Sequence, residues 1–420
     1  MDIISNIVML FVLFFLANVG HYLFEKIRLP GMMGEIIFGI LAANIVIAGL
    51  GDWNLLDRIG IVIETPTSAG SAGYETLMLF SELGVIFLLF TVGLETQVGD
   101  LFRVGKPAVF SALLGIAVPF SLGLVFMAVM DEGLMSSIFI STALITTSAG
   151  VAAYVLKSLR MTNTPEGQII VGAAVISEIV TLTVLAVLSG VAAGDTSPLG
   201  IAFTVFKSLA FVVLALYVCF RVMPKINAHI DSRRRDDHTD WTMLFAGIGV
   251  CFAMAIAAGK MGLSVIVGAY FAGMMFAEYA EEWNLIKEIE SVKEFFMTFF
   301  FISVGIRVVL SDLASADVLI LAAGMSAIAI AGKHLACAVG AKLGDRSLDR
   351  DSMDIIGWGM VPKAEVVMVI AAMGVGYGAI GVPVFSCVVI MAIVATAVSH
   401  FMVWRSVIRK YGENGVPGIA

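Results

Sequence analysis

Residues 87–101 read FLLFTVGLETQVGDL and residues 299–313 read FFFISVGIRVVLSDL. At a constant offset of 212, Phe87, Val92, Gly93, Asp100 and Leu101 stand opposite Phe299, Val304, Gly305, Asp312 and Leu313. A second pair lies at an offset of 234. There GEIIFGILAAN (34–44) and GAYFAGMMFAE (268–278) share Gly34 with Gly268, Gly39 with Gly273, and Ala43 with Ala277. Two separate segments recurring in the same order point to two copies of one unit. A longer loop between the second and third hydrophobic runs of the chain, in the first half, accounts for the change of offset.

What those units are follows from composition. Of the 420 residues, 60% are hydrophobic and 14% charged, where a soluble globular chain carries about 25% charged residues. Hydrophobic runs of the length needed to cross a bilayer, about 20 residues, recur from end to end. They predict an all-α polytopic membrane protein with 13 transmembrane helices: 2–24, 31–50, 76–95, 106–129, 136–157, 165–190, 199–222, 240–259, 262–278, 294–310, 317–341, 355–373 and 382–404. Each matched pair is then seven spans apart. Seven is odd, so the copies run in opposite directions, the inverted-topology repeat of many secondary transporters. The first repeat covers about 31–190 and the second about 262–404, joined by a polar cytoplasmic linker at about 223–240 that contains DSRRRDDHTD (231–240).

Positive charge sets the expected orientation. Nineteen of the 25 Lys and Arg residues fall in loops after odd-numbered spans or at the C-terminus, whereas Arg58, Lys260 and Arg307 fall on the opposite side. The N-terminus is therefore expected outside and the C-terminus in the cytoplasm. The opening MDIISNIVMLFVLFFLANVGHYLF lacks a basic lead-in and a cleavage site, and reads as a retained first helix. Cys219, Cys251, Cys337 and Cys387 lie in apolar stretches without metal-ligand spacing, so neither a disulfide framework nor a zinc site is expected. No basic patch suits a nucleic acid, and no nucleotide-binding glycine loop or hydrolytic triad suggests an enzyme or a cofactor. VGYG (375–378) matches part of a potassium-channel filter, but it falls in the outer loop GVGYGAIGVP, where a glycine-rich turn explains it.

Charges at membrane depth are costly and usually functional. Glu178, in GAAVISEIVTL (172–182), is central in the sixth span. A buried carboxylate can hold a proton or a cation but not both well, which is the minimal physics of exchange; the bland alternative is a structural partner for a buried lysine. Lys333, in the eleventh span, reads as a countercharge for that carboxylate or as a side chain snorkelling to the interface. In the twelfth span, Pro362 cannot donate to the carbonyl of Trp358, so GMVPKAEV is expected to kink or unwind. Lys363 and Glu365 flank that break and suit the exposed C-terminal and N-terminal helix ends respectively. Gly150, in ITTSAGVA, stands opposite Pro362 in the first copy, although TTSAG alone leaves open whether the fifth span is broken. Ser177, Thr146, Thr147 and Ser148 add hydroxyls, and an oxygen-only set suits a hard cation; Glu178, Ser177 and Thr147 are the candidate ligands for a monovalent one.

These segments together resemble the Kef-type and NapA-type branch of the monovalent cation:proton antiporters, over nearly the whole chain. GHYLFEKIRLPGMMGEIIFGILAAN looks like the family's first two helices, and LLFTVGLE, GLSVIVGAYFAGMMFAE, FFFISVGI and GMVPKAEV follow in family order. The resemblance implies a NapA/NhaA-like antiporter fold: a homodimer with an elevator-like core and two crossed discontinuous helices, here TTSAG and MVPKAE. On this reading core helices occupy about 76–190 and 294–404, and dimerisation or scaffold helices about 2–50 and 199–278. The transport carboxylate of the family, which follows GAAVI and one polar residue, corresponds to Glu178, and the family's core lysine to Lys333 in AGKHLAC. The departure is Ser177–Glu178, where relatives often have two acids or an aspartate; members with a neutral first residue tend to be electroneutral. Kef-type relatives also carry a cytoplasmic nucleotide-binding regulatory domain, which is not expected in the short stretch after Arg405.

The expectation is thus an integral protein of a bacterial or archaeal inner membrane that exchanges Na⁺ or K⁺ for H⁺ without a cofactor. It would have the lipid bilayer and a second copy of itself as partners and no nucleic acid. A channel-like conductance and a non-transporting ion or pH sensor are the alternatives from other classes.

Overall fold

In a hydrocarbon interior each backbone N–H and C=O must be satisfied within the protein, so runs of apolar residues this long form helices. The computed structural model describes residues 3–27, 29–47, 72–96, 105–193, 198–233 and 241–412. In chain order the helices are α1 (Ile3–Lys26), α2 (Gly31–Ile47), α3 (Ala72–Glu95), α4 (Lys106–Val129), α5 (Leu134–Ile145), α6 (Ala149–Ser158), α7 (Pro165–Ala193), α8 (Pro198–Tyr217) and α9 (Met223–Arg233). They continue with α10 (Trp241–Lys260), α11 (Val265–Phe276), α12 (Leu285–Ile306), α13 (Ala316–Ala327), α14 (Lys333–Gly344), α15 (Arg350–Gly359), α16 (Glu365–Gly376) and α17 (Val382–Tyr411). One π-helical turn, Val218–Val222, joins α8 to α9, and another, Ile328–Gly332, joins α13 to α14. Among the described residues nine helical segments are long and apolar enough to cross a membrane, and Gly31–Asn44, Val265–Tyr279 and Glu365–Gly376 are shorter apolar helices.

The chain divides into two units, residues 1–98 with 189–311 and residues 99–188 with 312–420. In the first unit, glycines let backbones touch. A Cβ on Gly39 would lie 2.5 Å from the carbonyl oxygen of Ile302, and one on Gly305 would overlap that of Ile36. Likewise a Cβ on Gly93 would overlap the carbonyl oxygen of Tyr270, and one on Gly273 that of Phe90. Small residues at such crossings are the usual currency of helix packing where lipid is as apolar as the side chains. The two crossings, α2 on α12 and α3 on α11, are made by the glycines that the repeat matched, Gly39 with Gly273 and Gly93 with Gly305. Gly34 packs on Gly20 as Gly268 packs on Met254, again 234 residues on.

These crossings place α3 and α12 in the first unit, where the sequence reading had grouped 76–95 and 294–310 with the core. Asp100 and Leu101 of the matched segment, the loop containing Arg58 and residues 234–240 of the linker lie outside the described residues.

In the second unit α4 packs along α14, with Gly340 of α14 against the backbone of Phe110 and Gly115 of α4 against the Cys337 side chain. The fifth expected span is interrupted: α5 ends at Ile145, Thr146–Ser148 are non-helical, and α6 resumes at Ala149. The twelfth is interrupted too, with α15 ending at Gly359 and α16 beginning at Glu365. The break that TTSAG left open is therefore present. The second break extends further upstream than a kink, because α15 already begins at Arg350 with Asp349 as its cap, the carboxylate accepting from Ser352 N at 2.7 Å.

Candidate ion site at two helix breaks

The two interruptions touch. Ser148 N donates to Pro362 O (3.0 Å), and the Thr147 hydroxyl donates to Met360 O (3.0 Å). Each break thus satisfies backbone groups freed in the other, the condition for non-helical backbone at membrane depth.

Three consecutive carbonyls at the C-terminus of α5 receive two buried ammonium groups. Lys363 Nζ donates to Leu144 O (2.7 Å) and Thr146 O (2.9 Å). Lys333 Nζ donates to Ile145 O (2.5 Å) and Gly115 O (2.9 Å). Both lysines are buried, Lys333 completely. A cation is favourable at a helix C-terminus, where unsatisfied carbonyls concentrate partial negative charge. Lys333 directly follows the π turn, which rotates the start of α14 and so changes where the side chain points; such turns recur at functional sites. Sequence alone allows Lys333 to snorkel to the interface or to act as a countercharge for Glu178. The structure places its ammonium on α4 and α5 carbonyls.

Opposite charge gathers at the other ends. The Ser148 hydroxyl donates to the carboxylate of Glu365, 3.0 and 3.1 Å from its two oxygens. The same oxygen caps α6 by accepting from Val151 N at 3.2 Å. Glu365 is the first residue of α16 and is buried, so one carboxylate serves the N-terminal regions of α6 and α16.

Glu178 lies midway along α7 and is 2% exposed; Ser177 is fully buried. Thr181 on the next turn donates its hydroxyl to Ser177 O at 2.7 Å. The Thr146 hydroxyl donates to Ala143 O at 2.8 Å. Of the expected site residues, Ser148 touches Glu365 and Lys363 touches the Thr146 carbonyl, while Thr147 meets Met360 of the other break and Lys333 meets the intervening Ile145 carbonyl.

Two side chains that the sequence reading missed complete the crossing, both from α17. Thr396 accepts from Lys363 N (3.0 Å) and donates to Lys363 O (2.6 Å), and Ser399 donates to Trp358 O (2.7 Å). Their signal was a pair of hydroxyls three residues apart, on one face of the helix beyond the apolar run 387–395. Also missed was a cluster where α7 and α15 begin and α17 ends. There Glu166 accepts from Lys410 (2.6 Å), Ser352 (2.6 Å) and Tyr411 (3.1 Å), and Arg409 pairs with Asp351 and Asp354, each at 2.6 Å.

The family model described as "Sodium/hydrogen exchanger, transmembrane" matches residues 10–404. The chain belongs to the sodium/hydrogen exchanger family. It is 31% identical over 411 residues to the high-affinity Na⁺/H⁺ antiporter NhaS3 of Synechocystis sp., covering 93% of this chain and 87% of that one. It is 27% identical to a Na⁺/H⁺ antiporter of Enterococcus hirae, covering 91% and 93%. Among solved structures, the sodium proton antiporter MjNhaP1 of Methanocaldococcus jannaschii aligns with a TM-score of 0.67 at 14% identity, covering 98% and 99%, which shows a shared fold. This sodium/hydrogen exchanger homologue is thus an all-α membrane transporter of the cation/proton exchange class, and the Kef- and NapA-type resemblance is consistent with the family.

Proposed function

We propose that this exchanger carries Na⁺ or K⁺ in one direction and H⁺ in the other through competition for Glu178. The observation that carries the reading is a buried carboxylate, central in α7, in the same unit as the two touching helix breaks. Burial disfavours a bare carboxylate, so Glu178 crosses the membrane neutralised by a proton or by a cation. Ser177, Thr147 and Ser148 are the proposed neutral oxygen donors, and Lys333 the group whose charge balances Glu178 between ions. Relatives named for Na⁺/H⁺ exchange, and one from Bacillus cereus named as a Na⁺/H⁺-K⁺ antiporter, keep both cations in play.

Thirteen spans cross the membrane with the N-terminus outside and the C-terminus in the cytoplasm of a prokaryotic inner membrane. The matching glycine crossings support an inverted repeat. Six of the spans, those in residues 106–188 and 316–411, form the core that moves in an elevator-like cycle, and the rest form the scaffold of a homodimer. Exchange is electroneutral, because Ser177 supplies no second acid and each leg of the cycle carries one neutralised Glu178.

Proton and cation flux in proteoliposomes across Li⁺, Na⁺, K⁺ and Rb⁺, with and without an imposed voltage, tests these points together. The expected result is coupled exchange of Na⁺ or K⁺ that ignores voltage and is lost in Glu178→Gln. Parental exchange in that variant would rule out the carrier role, and voltage-driven net flux would rule out electroneutrality.

A further inference from the structure

The lysine at the second break does more than neutralise a helix end. Its ammonium sits on the carbonyl oxygens of Leu144 and Thr146 at 2.7 and 2.9 Å, fully enclosed, as a monovalent cation sits on backbone carbonyls stripped of water. Its backbone is held at both ends by one hydroxyl, Thr396, so the side chain is anchored on α17 and its charge delivered to α5. Lys333 differs. It projects from the end of a π turn and divides its ammonium between α4 and α5, with no such backbone anchor among the described residues.

We propose that Lys363 is a tethered substitute for a bound monovalent cation of K⁺ or ammonium size, filling a carbonyl site that would otherwise take a second free ion. Its native role is to reserve the C-terminus of α5, so that the only exchangeable ion is the one at Glu178. Occupancy of this site does not depend on the transport reading; only its consequence for stoichiometry does.

Vacating the site and supplying the ion from solution tests the idea. In detergent, Lys363→Ala should melt well below the parent and regain most of the loss, in a saturable manner, with K⁺ or NH₄⁺ but not with Li⁺ or choline at equal ionic strength. Lys363→Met fills the same space with an apolar chain and should respond to none of them; the parent should show no such K⁺ or NH₄⁺ response beyond any binding at Glu178, which a Glu178→Gln background removes. Equal response of both variants to all salts, or no response of the alanine variant, would overturn the proposal. Should Lys363→Ala aggregate, recovery of monodisperse protein becomes the readout. Recovery in KCl or NH₄Cl but not in LiCl supports the proposal, and failure in every salt contradicts it. Glu178→Gln on its own decides the transport reading, so the two failures are separable.

Discussion

The first halves of the two broken helices end in different company. At the end of α5 the carbonyls of Leu144, Ile145 and Thr146 face two ammonium groups. At the end of α15 the carbonyls of Trp358 and Met360 accept from the hydroxyls of Ser399 and Thr147, and Pro362 O accepts from Ser148 N. The folds of the two breaks correspond; their charges do not. At the repeat offset of 212, Lys333 and Lys363 stand opposite Ser121 and Val151 in the first copy, neither of them charged. Two comparable helix ends meet here, and among the described residues it is the end of α5 that receives ammonium groups.

The largest effect that could break this contrast comes from Lys363→Met set against Thr396→Val. Hydrogen bonds to charged groups contribute about 1.5–3 kcal/mol each and neutral ones about 1 kcal/mol. Thermal unfolding in detergent should show the lysine variant losing about two to three times as much stability. Equal losses would mean that charge at α5 contributes nothing special.

Ser148→Ala comes next. It removes the cap on Val151 N and the donor to Glu365 in one step, and an N-cap alone is worth about 1 kcal/mol. A loss of about 1–3 kcal/mol is expected. Ser148→Thr, which keeps the hydroxyl, should recover most of it, and its failure to do so would assign the effect to packing.

The smallest effect lies at the start of α15, away from the breaks. Asp349 caps that helix, and the hydrogen bond from Ser352 N is the main cause holding its carboxyl below the usual aspartate value of 3.8. A carboxyl with a lowered folded-state pKa stabilises the protein above its unfolded value and loses that contribution as pH falls through the folded one. Asp349→Ala should therefore cost about 1 kcal/mol near neutral pH and less once the parent's Asp349 is protonated. A constant penalty across that acid range would show that the cap acts through something other than its charge.

How far these features could be read from sequence depends on their range. The glycine pattern was legible because contacts between backbones demand glycine at fixed positions, and Gly39, Gly93, Gly273 and Gly305 meet at crossings where a side chain would collide. The α15–α16 break was legible because proline removes a donor. TTSAG removes nothing, and what ends α5 there is the neighbouring break accepting from Thr147 and Ser148, a contact across 213 or more residues of chain. The lysine partners were illegible for a related reason: four flexible carbons can reach any of several carbonyls, and the π turn before Lys333 leaves no local signature. The grouping of α3 and α12 with the first unit was also hidden, since the glycines that decide it do not by themselves name their partners.

Proton release on cation binding tests competition between a proton and a cation at Glu178 most directly. Na⁺ or K⁺ is titrated into the purified protein in weakly buffered detergent solution, and protons released are counted against cations bound. One proton per bound cation is expected, with release abolished in Glu178→Gln. Cation binding without proton release, or the same release from the glutamine variant, would contradict the claim.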